Sequence, residues 1–174
     1  MQSLIARFDS FVFSLCDALR SPFLTDSMVF ITRSGDNGYF WITLALVLCC
    51  FQKTRRTGLL MLSALAATYV VSTIGLKNLF ARIRPCIAEP QNAVFPCPSG
   101  YSFPSGHSVS SFAAAFSLFF KHEKHALCAV FLACLIAFSR IYLHVHYATD
   151  VLAGAFIGAS TAYFLAKIRY FKNA

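Results

Sequence analysis

The sequence predicts an all-α protein: a polytopic transmembrane helix bundle with five or six spans, preceded by N-terminal interfacial helices. Composition is the first reason. Of 174 residues, 57% are apolar and only 13% charged, and the mean hydropathy is +0.63. Soluble domains carry about 25% charged residues, so this chain has roughly half the supply needed to cover a water-facing surface. Arrangement is the second reason. The apolar residues fall in runs approaching the roughly 20 residues of a bilayer-crossing helix, and five or six such runs nearly exhaust the chain, leaving no room for a separate soluble domain.

Residues 1–36 form the first division. Leu4, Ile5, Phe8, Phe11, Val12, Leu15 and Leu19 recur at helical spacing, with Arg7, Asp9, Ser14 and Asp17 on other faces, until Pro22 interrupts the run. A helix lying in the membrane interface has this pattern. Phe23 to Arg33 holds Asp26 and ends at the turn signal Ser34-Gly35-Asp36-Asn37-Gly38. It is short for a crossing and reads as a second surface helix, with a sixth span as the alternative. Residues 37–174 form the transmembrane division, with runs at Asn37 to Phe51, Gly58 to Leu79, Ser105 to Phe120, Ala126 to Ile141 and Tyr147 to Ile168. Several are short against a hydrocarbon layer of about 30 Å at 1.5 Å per residue, which puts their polar ends at headgroup level. Met1 to Ser10 lacks a basic stretch leading into an apolar core and a small-residue cleavage site, so the expected chain keeps its start near Met1.

The net charge of +8 comes from 15 Lys and Arg against 7 Asp and Glu. The cations cluster between apolar runs, as topology signals do, so no nucleic-acid partner is expected. The loops Lys53 to Arg56 and Lys121 to Lys124 and the tail Lys167 to Lys172 share one side and hold eight Lys and Arg. The other side holds seven: Arg7, Arg20, Arg33, Lys77, Arg82, Arg84 and Arg140. Eight against seven does not orient the chain. Setting Lys77, Arg84 and Arg140 aside as anion-holding groups leaves an excess that assigns the first side to the cytoplasm. The expected location is the plasma (inner) membrane, multi-pass, with the other face extracytoplasmic.

The unusual polar residues gather on that second face. Lys77 ends one run, and Arg84-Pro85 follows after six intervening residues. Phe103-Pro104-Ser105-Gly106-His107 opens the next run. The 31 residues Ser108 to Phe138 make one trip across and one back, returning Ser139-Arg140 to the same surface, where His146 and Asp150 follow. Ionisable groups at membrane depth are costly, so such a convergence marks a functional site. Three fixed cations, two of them guanidinium forks, match phosphate oxygens and the added charge of a pentacoordinate transition state. His146 and Asp150 are four apart, so the carboxylate can accept from one imidazole nitrogen and leave the other free as a nucleophile. His107 at a helix N-terminus behind a Ser-Gly turn combines an anion seat with a general acid.

These residues make the chain resemble the type 2 phosphatidic acid phosphatase superfamily of membrane lipid phosphatases. Its three motifs are Lys-x6-Arg-Pro, Pro-Ser-Gly-His and Ser-Arg-x5-His-x3-Asp, and they stand here as Lys77 to Pro85, Pro104 to His107 and Ser139 to Asp150. The apolar pattern from about Phe23 to Ile168 is similar too, while the first forty residues match least. The resemblance implies that His146 attacks phosphorus to give a phosphohistidine, that Asp150 orients it, and that His107 protonates the leaving alcohol. It implies that Lys77, Arg84, Ser105, Gly106 and Arg140 hold the phosphoryl oxygens, with neither metal nor cofactor. The implied partners are a lipid phosphate substrate and the membrane lipids. Undecaprenyl diphosphate is preferred, with phosphatidylglycerophosphate, phosphatidic acid and lipid A phosphate as alternatives. Two rival classes remain: a vanadate-binding haloperoxidase, which the membrane composition opposes, and a non-catalytic lipid-binding or transport protein, which the intact His and Asp oppose.

The remaining residues have plainer readings. A lone Lys77 or Arg140 at a helix end is an ordinary snorkelling anchor, and only convergence makes it more. His144 next to His146 suggests a metal pair, but no ligand set is completed beyond Asp150, so His144 reads as a packing neighbour. His122-Glu123-Lys124-His125 reads as a solvated turn, and Pro98-Ser99-Gly100 as a turn without a following His. Arg82 stays unassigned between the phosphate site and the headgroups. Of seven Cys, only Cys86 and Cys97 lie in an outer loop, where a disulfide can close it; the others sit in apolar segments as small hydrophobes.

Overall fold

A computed structural model describes residues 3–168. Met1, and Arg169 and Lys172 of the basic tail, lie outside the described residues. The described chain is helical: α1 (Leu4–Ala18), α2 (Pro22–Ser34), α3 (Tyr39–Cys50), α4 (Arg55–Tyr69), α5 (Lys77–Phe80), α6 (Pro85–Ala88), α7 (Gly106–Phe120), α8 (Ala126–Tyr142) and α9 (Ala148–Lys167). Serines start the first two. Ser3 accepts from the Ala6 N–H and Ser21 from the Leu24 N–H, with Pro22 at the first helical position, where its missing N–H costs nothing.

Two stretches, Arg55–Ala88 and Ala148–Lys167, are long and apolar enough to cross a membrane, and α8 is a shorter apolar helix. The runs expected from Asn37 and Ser105 form helices of 12 and 15 residues. At 1.5 Å per residue these are about 18 and 23 Å long. The run expected from Gly58 to Leu79 is not a plain α-helix, because Val70–Leu76 widens into a π-helical segment before Lys77. Val70, Val71, Thr73, Ile74 and Gly75 are all weak helix formers, so the regular ladder is easiest to relax there.

α7 is the hub, packed against α3, α4, α8 and α9. Small residues make this possible: Ala113, Ala114 and Ala115 are fully buried in α7. Gly154 and Gly158 face it from α9. A Cβ at Gly158 would stand 2.4 Å from the Val109 carbonyl oxygen, and one at Gly154 would stand 2.8 Å from that of Ser105. This is the small-xxx-small spacing by which membrane helices approach closely. On the outside, Leu127, Phe131, Phe156 and Phe164 are all more than 60% exposed, an apolar coat that suits lipid and would be a liability in water.

The N-terminal pair is docked on the bundle, α1 against α8 and α9 and α2 against α8. α1 and the Leu19 after it leave Leu4, Ile5, Phe8, Phe11, Leu15 and Leu19 exposed, while Val12, Phe13 and Cys16 pack inward. Asp9, which helical spacing places on a polar face, is turned into the protein and is 2% exposed. A carboxylate buried to that degree needs partners, and it has them.

Candidate active site

The turn between α8 and α9 supplies the centre. Arg140 lies in the last turn of α8, and His144 takes a left-handed conformation (φ 54°) that reverses the chain. His146 follows in the turn, and Asp150 is the third residue of α9, accepting from the Tyr147 backbone N–H at 3.0 Å in a capping box. A carboxylate in the first turn of α9 also meets the positive end of the helix dipole.

His146 is 2% exposed. Its Nδ1 lies 3.7 Å from Asp150 Oδ2 and 3.4 Å from Ser102 Oγ, which itself donates to the same Oδ2 at 2.5 Å. On the other side of the ring, Arg84 donates to Nε2 at 2.9 Å. A guanidinium cannot accept, so Nε2 carries the lone pair and Nδ1 the proton, turned toward Asp150 and Ser102. Burial pushes the imidazole pKa down to about 3, with the Arg84 and Arg140 charges helping and Asp150 opposing. His146 is therefore neutral around pH 7, with its lone pair on the side of the cations.

The three cations are held differently. Arg84 donates from Nε to the Gly100 carbonyl, from Nη1 to Val145 and from Nη2 to Ser99. The Pro98-Ser99-Gly100 turn is thus a brace for Arg84. Lys77 Nζ donates to the Tyr101 carbonyl at 2.9 Å and lies within electrostatic reach of Arg84, Arg140 and Asp150. Arg140 is 2% exposed, bonds Thr32 Oγ1 of α2 through Nη1, and has no partner for Nε among the described residues. A buried guanidinium N–H without an acceptor is costly, and an anion at that place would relieve it.

Ser105 caps α7, accepting from the Ser108 N–H, while its own N–H donates to the Asp150 carbonyl at 3.1 Å. That bond ties the start of α7 to the start of α9. His107 Nε2 lies 3.0 Å from Asp36 Oδ1. Gly35 passes under the ring so closely that a Cβ there would stand 2.6 Å from His107 Cδ2. A cavity of about 860 Å³ runs from Lys77, Gly106 and His107 along Leu62, Leu65 and Tyr69, polar at one end and apolar along its wall.

All eight residues singled out from sequence therefore meet at one end of the bundle. Five further partners join them that the motifs do not assign. Asp9, Thr32 and Asp36 come from the N-terminal 36 residues, Ser102 precedes a motif, and Arg82, left unassigned, donates to Asp150 Oδ1 at 2.6 Å. An aspartate buried on an apolar helix is the only signal among these that single-residue reading offers. His144 stacks on Phe13 with centroids 4.3 Å apart, a packing neighbour outside the cluster. Cys86 and Cys97 are disulfide-bonded, with Cα atoms 5.7 Å apart.

Residues 57–174 match the family model of the PAP2 superfamily. The chain is 29% identical over 150 residues to an undecaprenyl-diphosphatase of Sulfolobus acidocaldarius, covering 85% of this chain and 72% of that one. Among solved structures, it is similar to the transmembrane PAP2-type phosphatidylglycerolphosphate phosphatase of Bacillus subtilis, with a TM-score of 0.76 at 28% identity, covering 94% of this chain and 85% of that one. It is also similar to Aquifex aeolicus LpxE, with a TM-score of 0.78 at 30% identity, covering 89% of this chain and 92% of that one. With the matched region spanning more than half the chain and holding all three motifs, the chain belongs to the PAP2 superfamily and is one of its membrane lipid phosphatases.

Proposed function

We propose that this multi-pass protein, with five or six spans, removes the terminal phosphate of a lipid diphosphate or monophosphate at the extracytoplasmic face, with His146 as nucleophile. The observation that carries the reading is the placement of the His146 ring, with Nε2 2.9 Å from the Arg84 guanidinium and Nδ1 facing Ser102 and Asp150, which assigns the proton to Nδ1 and the lone pair to Nε2. Arg84, Arg140, Lys77, the Ser105 hydroxyl and the Gly106 N–H hold the phosphoryl oxygens, and the Arg140 Nε, without a partner among the described residues, supports that role. Nε2 attacks phosphorus, the bond to the leaving oxygen breaks, and His107 delivers a proton to that oxygen. Water then attacks the phosphohistidine, giving up a proton to His107, and inorganic phosphate leaves with His146 restored. Residues 1–36 act as interfacial helices beside the transmembrane domain 37–174.

Undecaprenyl diphosphate is the preferred substrate, supported by the archaeal relative's name and by the apolar wall of the cavity at Lys77 and His107. Phosphatidylglycerophosphate, phosphatidic acid and lipid A phosphate are the alternatives. The extracytoplasmic side is supported by the Cys86–Cys97 disulfide beside the site, since such bonds persist in oxidising compartments. Phosphate release from a panel of these lipids by purified protein in EDTA tests the reading. The undecaprenyl substrate should give the highest kcat/KM, and no release from any lipid would end it. A membrane-impermeant thiol reagent applied to intact cells should label Asn92→Cys and miss Glu123→Cys; the reverse would overturn the orientation.

A further inference from the structure

Arg82 lies inside the Lys77 to Pro85 motif at a position the motif leaves unspecified, yet it is the only cation that touches the Asp150 carboxylate among the described residues. Its Nη1 donates both to Asp150 Oδ1 at 2.6 Å and to Thr149 Oγ1 at 2.8 Å, which spends both hydrogens of that nitrogen. Its Nη2 donates to Asp9 Oδ2 at 2.8 Å, and the guanidinium carbon rests 3.8 Å over the Tyr147 ring. Asp9 is equally committed. It accepts from Thr149 N–H and Thr149 Oγ1, each at 2.9 Å, as well as from Arg82. Asp9, Arg82 and Thr149 thus close a ring of hydrogen bonds, and Arg82 carries that ring to Asp150.

Two consequences follow from this connectivity. Thr149 is the second residue of α9, so Asp9 satisfies one of the orphan N–H groups at the very helix start that carries Asp150. Asp150 is fully buried and flanks His146, so a guanidinium held in a fixed fork is what fixes its second oxygen while Ser102 holds the first. Asp9 belongs to α1, outside the region matched by the family model.

We propose that Asp9 and Arg82 are positioning residues for the phosphatase reaction: α1 completes the site by locking Arg82 across Asp150, which in turn holds the His146 ring through Ser102 and its own charge 3.7 Å away. The inference rests on the nucleophilic reading of His146. Arg82 touches neither His146 nor the cavity beside Lys77 and His107, so its contribution runs through Asp150.

The test measures kcat and KM per active site, titrated by alkali-quenched phosphohistidine labelling, for Arg82→Ala, Arg82→Lys, Asp9→Asn and the double variant Asp9→Asn/Arg82→Ala. The first should lower kcat on the order of 10²-fold, as loss of an orienting group behind a catalytic His does, with KM within about threefold. Arg82→Lys should recover part of that loss, because it restores the charge without the fork. Asp9→Asn, nearly isosteric, should lower kcat by about tenfold, and in the Arg82→Ala background it should add nothing. Losses that multiply in the double variant, a rise in KM with kcat unchanged, or an unchanged kcat per labelled site would each overturn the proposal. Should Arg82→Ala fail to fold, Asp9→Asn and Arg82→Lys carry the same comparison. His146→Ala run alongside separates the two ideas: turnover without a labelled histidine defeats the nucleophilic reading whatever the Arg82 variants do.

Discussion

The two ends of the bundle share the Lys and Arg almost evenly, eight against seven, and have opposite characters. At one end, Lys53, Arg56, His122, Glu123 and Lys167 surround a cavity of about 630 Å³, and Lys53 and Arg56 are exposed. Glu123 accepts from Thr57 Oγ1 at 2.6 Å, and Lys167 lies over the Tyr163 ring. The first joins α4 to the α7–α8 connection and the second stays within α9, and the charged groups themselves remain at least partly open to solvent. At the other end, Arg84, Arg140, His146 and Asp150 are each at most 4% exposed, and every one is tied to another segment of chain. A count of eight cations against seven hides this difference. What distinguishes a site from an anchor is the desolvation that makes each polar group depend on its neighbours.

Four tests sharpen the comparison. The largest effect belongs to His146→Ala, which should lower kcat by on the order of 10⁴-fold or more on every substrate, because without the covalent intermediate neither half-reaction proceeds. A substrate that still turns over would identify a direct attack by water. Next, His107→Ala should cost about 10² to 10⁴-fold in kcat/KM on a lipid monophosphate and far less on an aryl phosphate with an acidic phenol, which leaves without a proton. Equal losses would reduce His107 to phosphate binding.

The third pits the ends against each other. Arg140→Ala should weaken substrate binding and turnover by about 10² to 10³-fold, as loss of a preorganised oxyanion donor does. The double variant Lys53→Ala/Lys167→Ala should stay within about twofold in kcat/KM, since exposed ion pairs and anchors contribute little. Comparable losses at both ends would erase the distinction drawn from burial. The smallest effect concerns Gly106. A Cβ added there meets nothing within 4 Å, so Gly106→Ala should leave thermal stability unchanged or slightly raised. If the bare backbone admits a phosphoryl group, KM should rise several-fold; an unaltered KM would remove Gly106 from the site.

Much of the fold was legible because it is local. Helix positions follow from apolar runs bounded by Ser, Gly and Pro, and Ser105 and Pro22 start helices where capping chemistry says they should. Lys77, Arg84, Arg140, His107, His146 and Asp150 were legible as a set because the lengths between them equal whole trips along the bundle. Gly154 and Gly158, four apart, have the spacing of a close-approach pair, but spacing alone does not say which helix they meet. Asp9, Thr32 and Asp36 were not readable as partners. Each is a single polar residue without spacing to a motif, and its role depends on how α1 and α2 dock on α8 and α9.

By itself, then, the sequence determined the helical, membrane-suited character of the chain and the identity of its reactive groups, because periodicity, composition and motif spacing are properties of neighbouring residues. Only the tertiary structure decided the pairings. That Arg84 points into His146 Nε2, that Arg82 joins Asp9 to Asp150, and that Arg140 keeps an N–H unpaired among the described residues are matters of tenths of an ångström between segments as many as 140 residues apart. Hydrogen bonds weaken steeply with distance and angle, so these contacts exist only once α9 has closed on α7 through Gly154 and Gly158 and α1 has turned Asp9 inward.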